Sequence, residues 1–331
     1  MKRRGFILGK FMPPHRGHLF LCETARAMTD ELTVLVCSTD AEPIDGALRH
    51  RWMQEMLPGA RVLHLHKNLP QEPKDHPDFW TIWRQEISRL HPEEITHVFA
   101  SDEYVFRLAE ELRTTPVLID PAREIFPVSG TAIRNRPEAC WSMIPKPVRP
   151  HYQKRLTIIG PESVGKSRLA ADLAAHFKTL AMPEYGRAYD VYYKQGRNWR
   201  AEDLVTLAET HCAMREAMRG DAGPLLVEDT DALQTAVWSL HLVGLIAPAL
   251  EKVEQDTLAD HYLLLTPEVA WTQDGVRYAG DEKTRRFFFE EAERRLKTHG
   301  ASYDIISGDA FKARRDKAIA IAVSLYGGAA N

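Results

Sequence analysis

The chain has 331 residues, 44% of them hydrophobic and 27% charged, the proportions of a globular protein long enough to build two domains with separate cores. A net charge of -3 excludes the whole-chain basic field that drives nucleic-acid binding, and no apolar run reaches the roughly 18 to 20 residues of a spanning helix. The four cysteines, Cys22, Cys37, Cys140 and Cys212, lack the CxxC spacing of zinc sites and disulfide frameworks, which predicts a cytoplasmic protein.

In chain order, the opening apolar stretch is broken by Lys10 and the Pro13-Pro14 pair, too soon for a secretory signal. Apolar runs at 6–8, 32–37, 61–65, 97–100 and 117–119 read as buried parallel strands with helical patterns between them. Such alternation predicts βαβ units and a parallel sheet. RPEACWSMIPKPVRP (136–150) holds four prolines and reads as a stiff connection, so the expected domains are 1–150 and 151–331. A strand at 155–159, a glycine loop, a helix at 168–177 and further strands at 225–227 and 262–265 predict a second α/β domain. No internal repeat is present.

GPESVGKS (160–167) fits the G-x-x-x-x-G-K-[ST] phosphate loop between a strand and a helix. Gly160 and Gly165 let backbone N–H groups curl round a phosphate, Lys166 reaches the β- and γ-phosphates, and the Ser167 hydroxyl can ligate Mg²⁺. Parallel sheets bind ligands at their carboxyl ends, so the strand-ending VEDTD, with Glu228, Asp229, Thr230 and Asp231, suits Mg²⁺ and a hydroxylated acceptor, or alternatively caps a helix. PEYGR, with Glu184, Tyr185 and Arg187, offers a base and a clamp, or is a surface loop. Arg277 and the 283–286 basic run read as a closing lid or as solvated helix.

In the first half, GKFMPPHRGH places His15 and His18 at the start of a helix at 19–28. Metal ligation, plain packing, or hydrogen bonds to an α-phosphate in its transition state are the three readings. VSGTAIR adds Ser129, Thr131 and Arg134, a cradle for the β- and γ-phosphates or a helix cap.

Together these segments resemble the nucleotidyltransferase signatures G-x-F-x-P-x-H-x-G-H and [IV]-S-G-T-x-I-R. With the phosphate loop, PEYGRAY and EDTD that follow, nearly the whole chain is similar to the NadR-type bifunctional nicotinamide mononucleotide adenylyltransferase and ribosylnicotinamide kinase. The resemblance implies a Rossmann-like nucleotidyltransferase domain followed by a P-loop kinase domain, both α/β with parallel sheets. It also implies NAD salvage: nicotinamide riboside is phosphorylated with ATP, and the mononucleotide is adenylylated to NAD.

Residue by residue, the resemblance implies catalysis by His15, His18, Lys166, Glu184 and Asp229. ATP in the first domain would meet Gly9, Lys10, Phe11, His15, His18, Ser129, Thr131 and Arg134. In the second it would meet Gly160, Ser163, Gly165, Lys166 and Ser167, with Mg²⁺ on Ser167 and Asp229. Substrate contacts would come from Arg49, Trp52, Tyr185, Arg187, Asp231 and Arg277, with Trp80 or Trp83 stacking on nicotinamide or filling the core. Ser101, Asp102, Tyr104 and Arg107 lie in a segment that also resembles the family.

Regulator members carry an N-terminal helix-turn-helix, and here only a few residues precede the first strand, so neither repressor activity nor a nucleic-acid partner is expected. Arg168, where the family more often has a small hydroxyl residue, and Glu228 depart from the pattern without removing a catalytic group. The resemblance further implies a homo-oligomer. One active domain beside a nucleotide-sensing module, or the same chemistry on another nucleoside or phosphate acceptor, are the competing readings.

Overall fold

Two compact units, Met1–Arg149 and Pro150–Asn331, make up the protein in a computed structural model that describes residues 2–269 and 281–326. In the first, β1 (Arg4–Gly9), β2 (Glu31–Ser38), β3 (Arg61–His66), β4 (His97–Ala100) and β5 (Thr115–Leu118) form a sheet of order β3-β2-β1-β4-β5. Every pairing is parallel. The order turns back between β1 and β4, which opens a crevice at their carboxyl ends.

The strands are apolar throughout because both faces are covered. Phe6, Leu35, Leu65 and Val98 pack with Phe79, Trp83 and Ile87 of the helix Phe79–Leu90, a four-residue spacing that keeps all three on one stripe. Ile7, Val34, Val36 and Phe99 point the other way, onto Leu21, Cys22 and Ala25 of the helix Arg16–Met28 and Met53 of the helix Gly46–Met56. Burying each such Leu, Ile or Phe contributes about 1.5–3 kcal/mol.

The second unit has β6 (Lys154–Ile159), β7 (Ala181–Met182), β8 (Leu225–Asp229), β9 (His261–Leu265) and β10 (Tyr303–Ile306), ordered β10-β9-β6-β8-β7 and again parallel. Leu156, Ile158, Val227 and Leu263 face the helices Lys166–His176 and Phe311–Tyr326; Ile159, Tyr262 and Leu264 face Leu233, Val237 and Phe288. Register sets Ile158 beside Asp229, so the loop after β6 and the end of β8 meet. The fold class is the one expected from the sequence.

Differences are local. The helix expected at 19–28 begins at Arg16, because His15 caps it. The one expected at 168–177 begins at Lys166. The proline-rich connection contains a 3₁₀ turn at Trp141–Met143 and a short helix at Arg149–Tyr152. β10 was not among the expected strands. Among the described residues no helix is long and apolar enough to cross a membrane.

Candidate active sites

The first unit's two signatures meet in space. Met12 accepts from the Arg134 guanidinium through its carbonyl, 122 residues away in sequence, and Arg134 also donates to the Thr131 hydroxyl at 3.1 Å. A Cβ on Gly130 would lie 2.4 Å from that same carbonyl oxygen, so only glycine lets the two loops close. Ser129 caps the helix Gly130–Asn135, accepting from the Ala132 amide at 3.1 Å. Arg16 stands 4.7 Å over the Phe126 ring, fastening the approach to Ser129 onto the histidine helix.

His15 and His18 stack with ring centroids 3.7 Å apart. Burial, helped by Arg123, draws the His15 pKa from 6.5 down to about 4. Burial, then His15 and Arg123, hold His18 well below its ordinary value, so both rings are neutral at pH 7. His15 Nδ1 accepts the His18 amide at 3.4 Å, which leaves the His15 proton on Nε2 as a donor. Among the described residues no group of three metal-ligating side chains is found.

This burial has a pH signature. The folded unit keeps His15 neutral down to about 4, while the unfolded chain takes up the proton near 6.5, so between those values the unfolded state binds more protons. Stability is therefore expected to fall as pH drops from 6.5 toward 4, by roughly 3 kcal/mol from this ring, and to be flat above that window. Urea midpoints of the protein and of His15→Gln at pH 7 and 5 measure it. An equal acid slope in both would dismiss His15 as the cause.

Several residues of the first unit expected at a ligand make contacts within the fold. Arg49, expected at the substrate, has no exposed surface. It pairs with Glu42 and donates to the Lys10 and Cys37 carbonyls, thereby fixing the loop that carries Lys10. Lys10 Nζ lies 3.3 Å from the other Glu42 oxygen. Trp52 is buried in the same helix as Arg49. Trp83 is a core residue whose indole N–H donates to the Pro70 carbonyl at 3.0 Å, and Trp80 is partly buried against that core. Phe11, expected at ATP, is buried with its ring edge-on to His18 at 5.0 Å; Gly9 lies against Phe11, a Cβ there meeting its ring at 3.3 Å. Tyr104 donates to the Leu8 carbonyl at 3.2 Å, and Arg107 pairs with Glu110 and Glu111 on an exposed helix face. Arg123, which bears on both histidines, belongs to no motif and was not foreseen.

In the second unit, the loop 160–165 takes positive φ at Gly160, Ser163 and Gly165, the curl that turns amides inward. A Cβ on Gly160 would sit 2.6 Å from the Leu265 carbonyl oxygen. Lys166 Nζ donates to the Gly160 and Pro161 carbonyls at 3.1 and 2.8 Å, which parks the ammonium across the loop. Ser167 donates to Asp229, whose pKa burial raises, with Glu184 adding to the push and Lys166, Ser167 and Arg187 opposing it. Asp229 Oδ1 is buried and has no hydrogen-bond partner among the described residues. An oxygen-only pair with an orphaned carboxylate oxygen fits a hard cation.

The loop opens on a cavity of 310 Å³ lined by Lys166, Ser167, Glu184, Tyr185 and Arg187 and, beyond them, by Trp199, Trp238, Leu207 and His211. Glu184 and Arg187 lie 3.5 Å apart at its edge. Beneath it, Glu228 is fully buried. Burial pushes its pKa up, but His211, Arg155 and Arg215 outweigh that and bring it to about 2. Its Oε1 accepts from Arg155 at 2.6 Å, so this acid supports the cavity floor.

Asp231, expected at the substrate, caps the helix Ala232–Val243 through the Leu233 and Gln234 amides and accepts from Tyr262 at 2.7 Å. Both its oxygens are engaged. Arg277 lies outside the described residues. Lys283 and Arg286 fall in the first turns of the helix Glu282–Thr298, where Arg286 pairs with Glu282 and the buried Arg285 donates to the Val269 carbonyl. Arg168 stacks over Phe311 at 3.9 Å. The aromatic lining was missed by motif reading: Trp199 precedes a helix and Trp238 sits inside one, and neither has a spacing signal.

Residues 6–136 match the cytidylyltransferase-like family and residues 155–314 match the family described as an AAA domain. Fold and sites thus define a nucleotidyltransferase domain followed by a P-loop domain in one chain. The chain is similar to NadR proteins. It is 27% identical over 305 residues to the trifunctional NAD biosynthesis/regulator protein NadR of Salmonella typhimurium, covering 87% of this chain and 74% of that protein. The same figures hold for NadR of Escherichia coli. In fold it is similar to crystal structures of NadR in complex with NR (22% identity, TM-score 0.78, covering 98% of this chain and 96% of that one) and of NadR with NAD and AMP-PNP (21%, 0.74, 99% and 96%).

Proposed function

We propose that this chain makes NAD from nicotinamide riboside in two ATP-dependent steps, the second unit acting first. The observation that carries this reading is the pairing of two separate phosphate sites. One is a phosphate loop that opens on an aromatic cavity; the other is a stacked, neutral histidine pair at a helix start. A pyridinium riboside is a cation with a flat ring, and Trp199, Trp238 and Tyr185 offer the π-faces that bind one. The relatives' printed names give NAD biosynthesis, and one crystal structure of similar fold is of NadR in complex with NR, which supports the same reading.

In the kinase step the riboside 5′-hydroxyl oxygen attacks the γ-phosphorus of ATP. The bond to the β,γ-bridging oxygen breaks, ADP leaves, and the hydroxyl proton passes to Glu184 at the cavity edge. Lys166 and the loop amides follow the charge that develops on the phosphate oxygens. Ser167 and Asp229 would hold Mg²⁺, which supplies positive charge to the β- and γ-phosphates. In the second step a phosphate oxygen of the mononucleotide attacks the α-phosphorus of ATP and pyrophosphate leaves. His15 and His18 donate to the α-phosphate oxygens, and Ser129, Thr131 and the helix start they belong to receive the leaving group.

The reading includes a cytoplasmic, homo-oligomeric enzyme. All four cysteines are unpaired, and both steps draw on ATP. Purified protein incubated with nicotinamide riboside, ATP and Mg²⁺ is expected to accumulate mononucleotide first and NAD after a lag, resolved by chromatography. Absence of both products with this riboside would overturn the assignment.

A further inference from the structure

Gln234 lies one turn into the helix Ala232–Val243, is 1% exposed and lines the kinase-unit cavity. It is held from both ends. Asp231 accepts from its backbone amide at 3.3 Å and is itself fixed by Tyr262. Its side-chain Oε1 accepts from the Gly160 amide at 2.9 Å. That contact sets the orientation of the amide, since a backbone N–H must face the oxygen. Nε2 is then the other end of the amide, buried and without a hydrogen-bond partner among the described residues. A buried donor left unmade is costly, so such groups are normally completed by a ligand or an ordered water.

We propose that Gln234 is a specificity-determining residue of the kinase reaction: Nε2 donates to an oxygen of the acceptor nucleoside, while Oε1 ties that acceptor to Gly160. The inference rests on the kinase reading above and adds a residue that no motif marks. Gly160 is the first residue of the phosphate loop, and a side chain there would meet the Leu265 carbonyl at 2.6 Å. One amide therefore sets acceptor and phosphate donor in a common register. Within hydrogen-bonding chemistry the division is sharp, because the oxygen end serves the loop and the nitrogen end serves the substrate.

Gln234→Glu separates the two ends, since it keeps an oxygen for Gly160 and removes both N–H donors. The assay is initial ADP release by the full chain with nicotinamide riboside varied at saturating ATP and Mg²⁺. Wild-type protein that releases no ADP with this riboside overturns the kinase reading itself, independently of Gln234. With wild-type turnover established, Gln234→Glu is expected to raise the riboside KM by roughly tenfold and to leave the ATP KM within about twofold. Gln234→Leu, which loses the Gly160 contact too, is expected to raise both.

Ribosides lacking the 2′-oxygen, the 3′-oxygen or the carboxamide oxygen complete the test. One of them is expected to bind wild type roughly tenfold worse and to show no such penalty on Gln234→Glu. A riboside KM unchanged in Gln234→Glu, an ATP KM raised as in Gln234→Leu, or equal penalties for every analogue in both proteins would each assign Gln234 to structure or to a bound water and overturn the proposal. Should Gln234→Glu not fold, Gln234→Met takes its place against the same analogues, and the same coupling decides.

Discussion

His18→Ala is expected to lower adenylyl transfer by roughly 10²–10³-fold, the cost of removing one preorganised donor from a developing oxyanion, while phosphorylation of the riboside proceeds at the wild-type rate. The size follows from burial. His18 is held well below its ordinary pKa by desolvation, with His15 and Arg123 adding to the effect. A donor in such an environment acts in a low effective dielectric and without reorganisation. Its ring is seated between His15, 3.7 Å away, and the edge of Phe11, and water entering the truncated site is a mobile substitute. Pyrophosphate release with nicotinamide mononucleotide reads the first unit, and ADP release with the riboside reads the second. Loss of both activities would count against two independent sites.

Lys166→Ala is expected to do the reverse, reducing ADP release by roughly 10²–10³-fold with NAD formation from supplied mononucleotide intact. The ammonium bridges the Gly160 and Pro161 carbonyls at 3.1 and 2.8 Å and stabilises the ionised form of Asp229. Its removal withdraws charge from the γ-phosphate and lets burial raise the Asp229 pKa further, weakening the pair that would hold Mg²⁺. Lys166→Arg tests geometry against charge: a planar, bulkier guanidinium does not fit a loop crossed by two short ammonium contacts, so it is expected to recover little of the rate. Wild-type kcat in Lys166→Ala would remove the phosphate loop from the mechanism.

Much of the architecture was legible because its determinants are local. Parallel strands covered on both faces are unbroken apolar runs, and those centred on Ile7, Val34 and Leu264 could be read directly. The phosphate loop was legible because curling a backbone round a phosphate demands glycines at set spacing beside a Lys-Ser pair. β10 was not, since Tyr303 and Asp304 interrupt its apolar character and its burial comes from β9 and the helix Phe311–Tyr326. Arg49, expected at the substrate, shows what the pattern leaves out: it lies unexposed between Glu42 and the Lys10 carbonyl. Asp231 is similar, its carboxylate engaged by a helix start and by Tyr262, a residue 31 positions away.

The sequence by itself determined the two domain types, the order in which they occur and the loops that face phosphate, because backbone curvature and burial periodicity are written in neighbouring residues. Only the tertiary structure decided which polar side chains line the cavity and which are engaged within the fold. Gln234 could not be told from any surface glutamine until Gly160, 74 residues earlier, was seen to take its oxygen. Trp199 and Trp238 became cavity walls only when the segment before the helix Ala201–Arg219 packed with the helix Ala232–Val243. The physical reason is that desolvation and hydrogen-bond completion depend on groups distant in the chain, and these decide whether a polar atom is spent or left for a substrate.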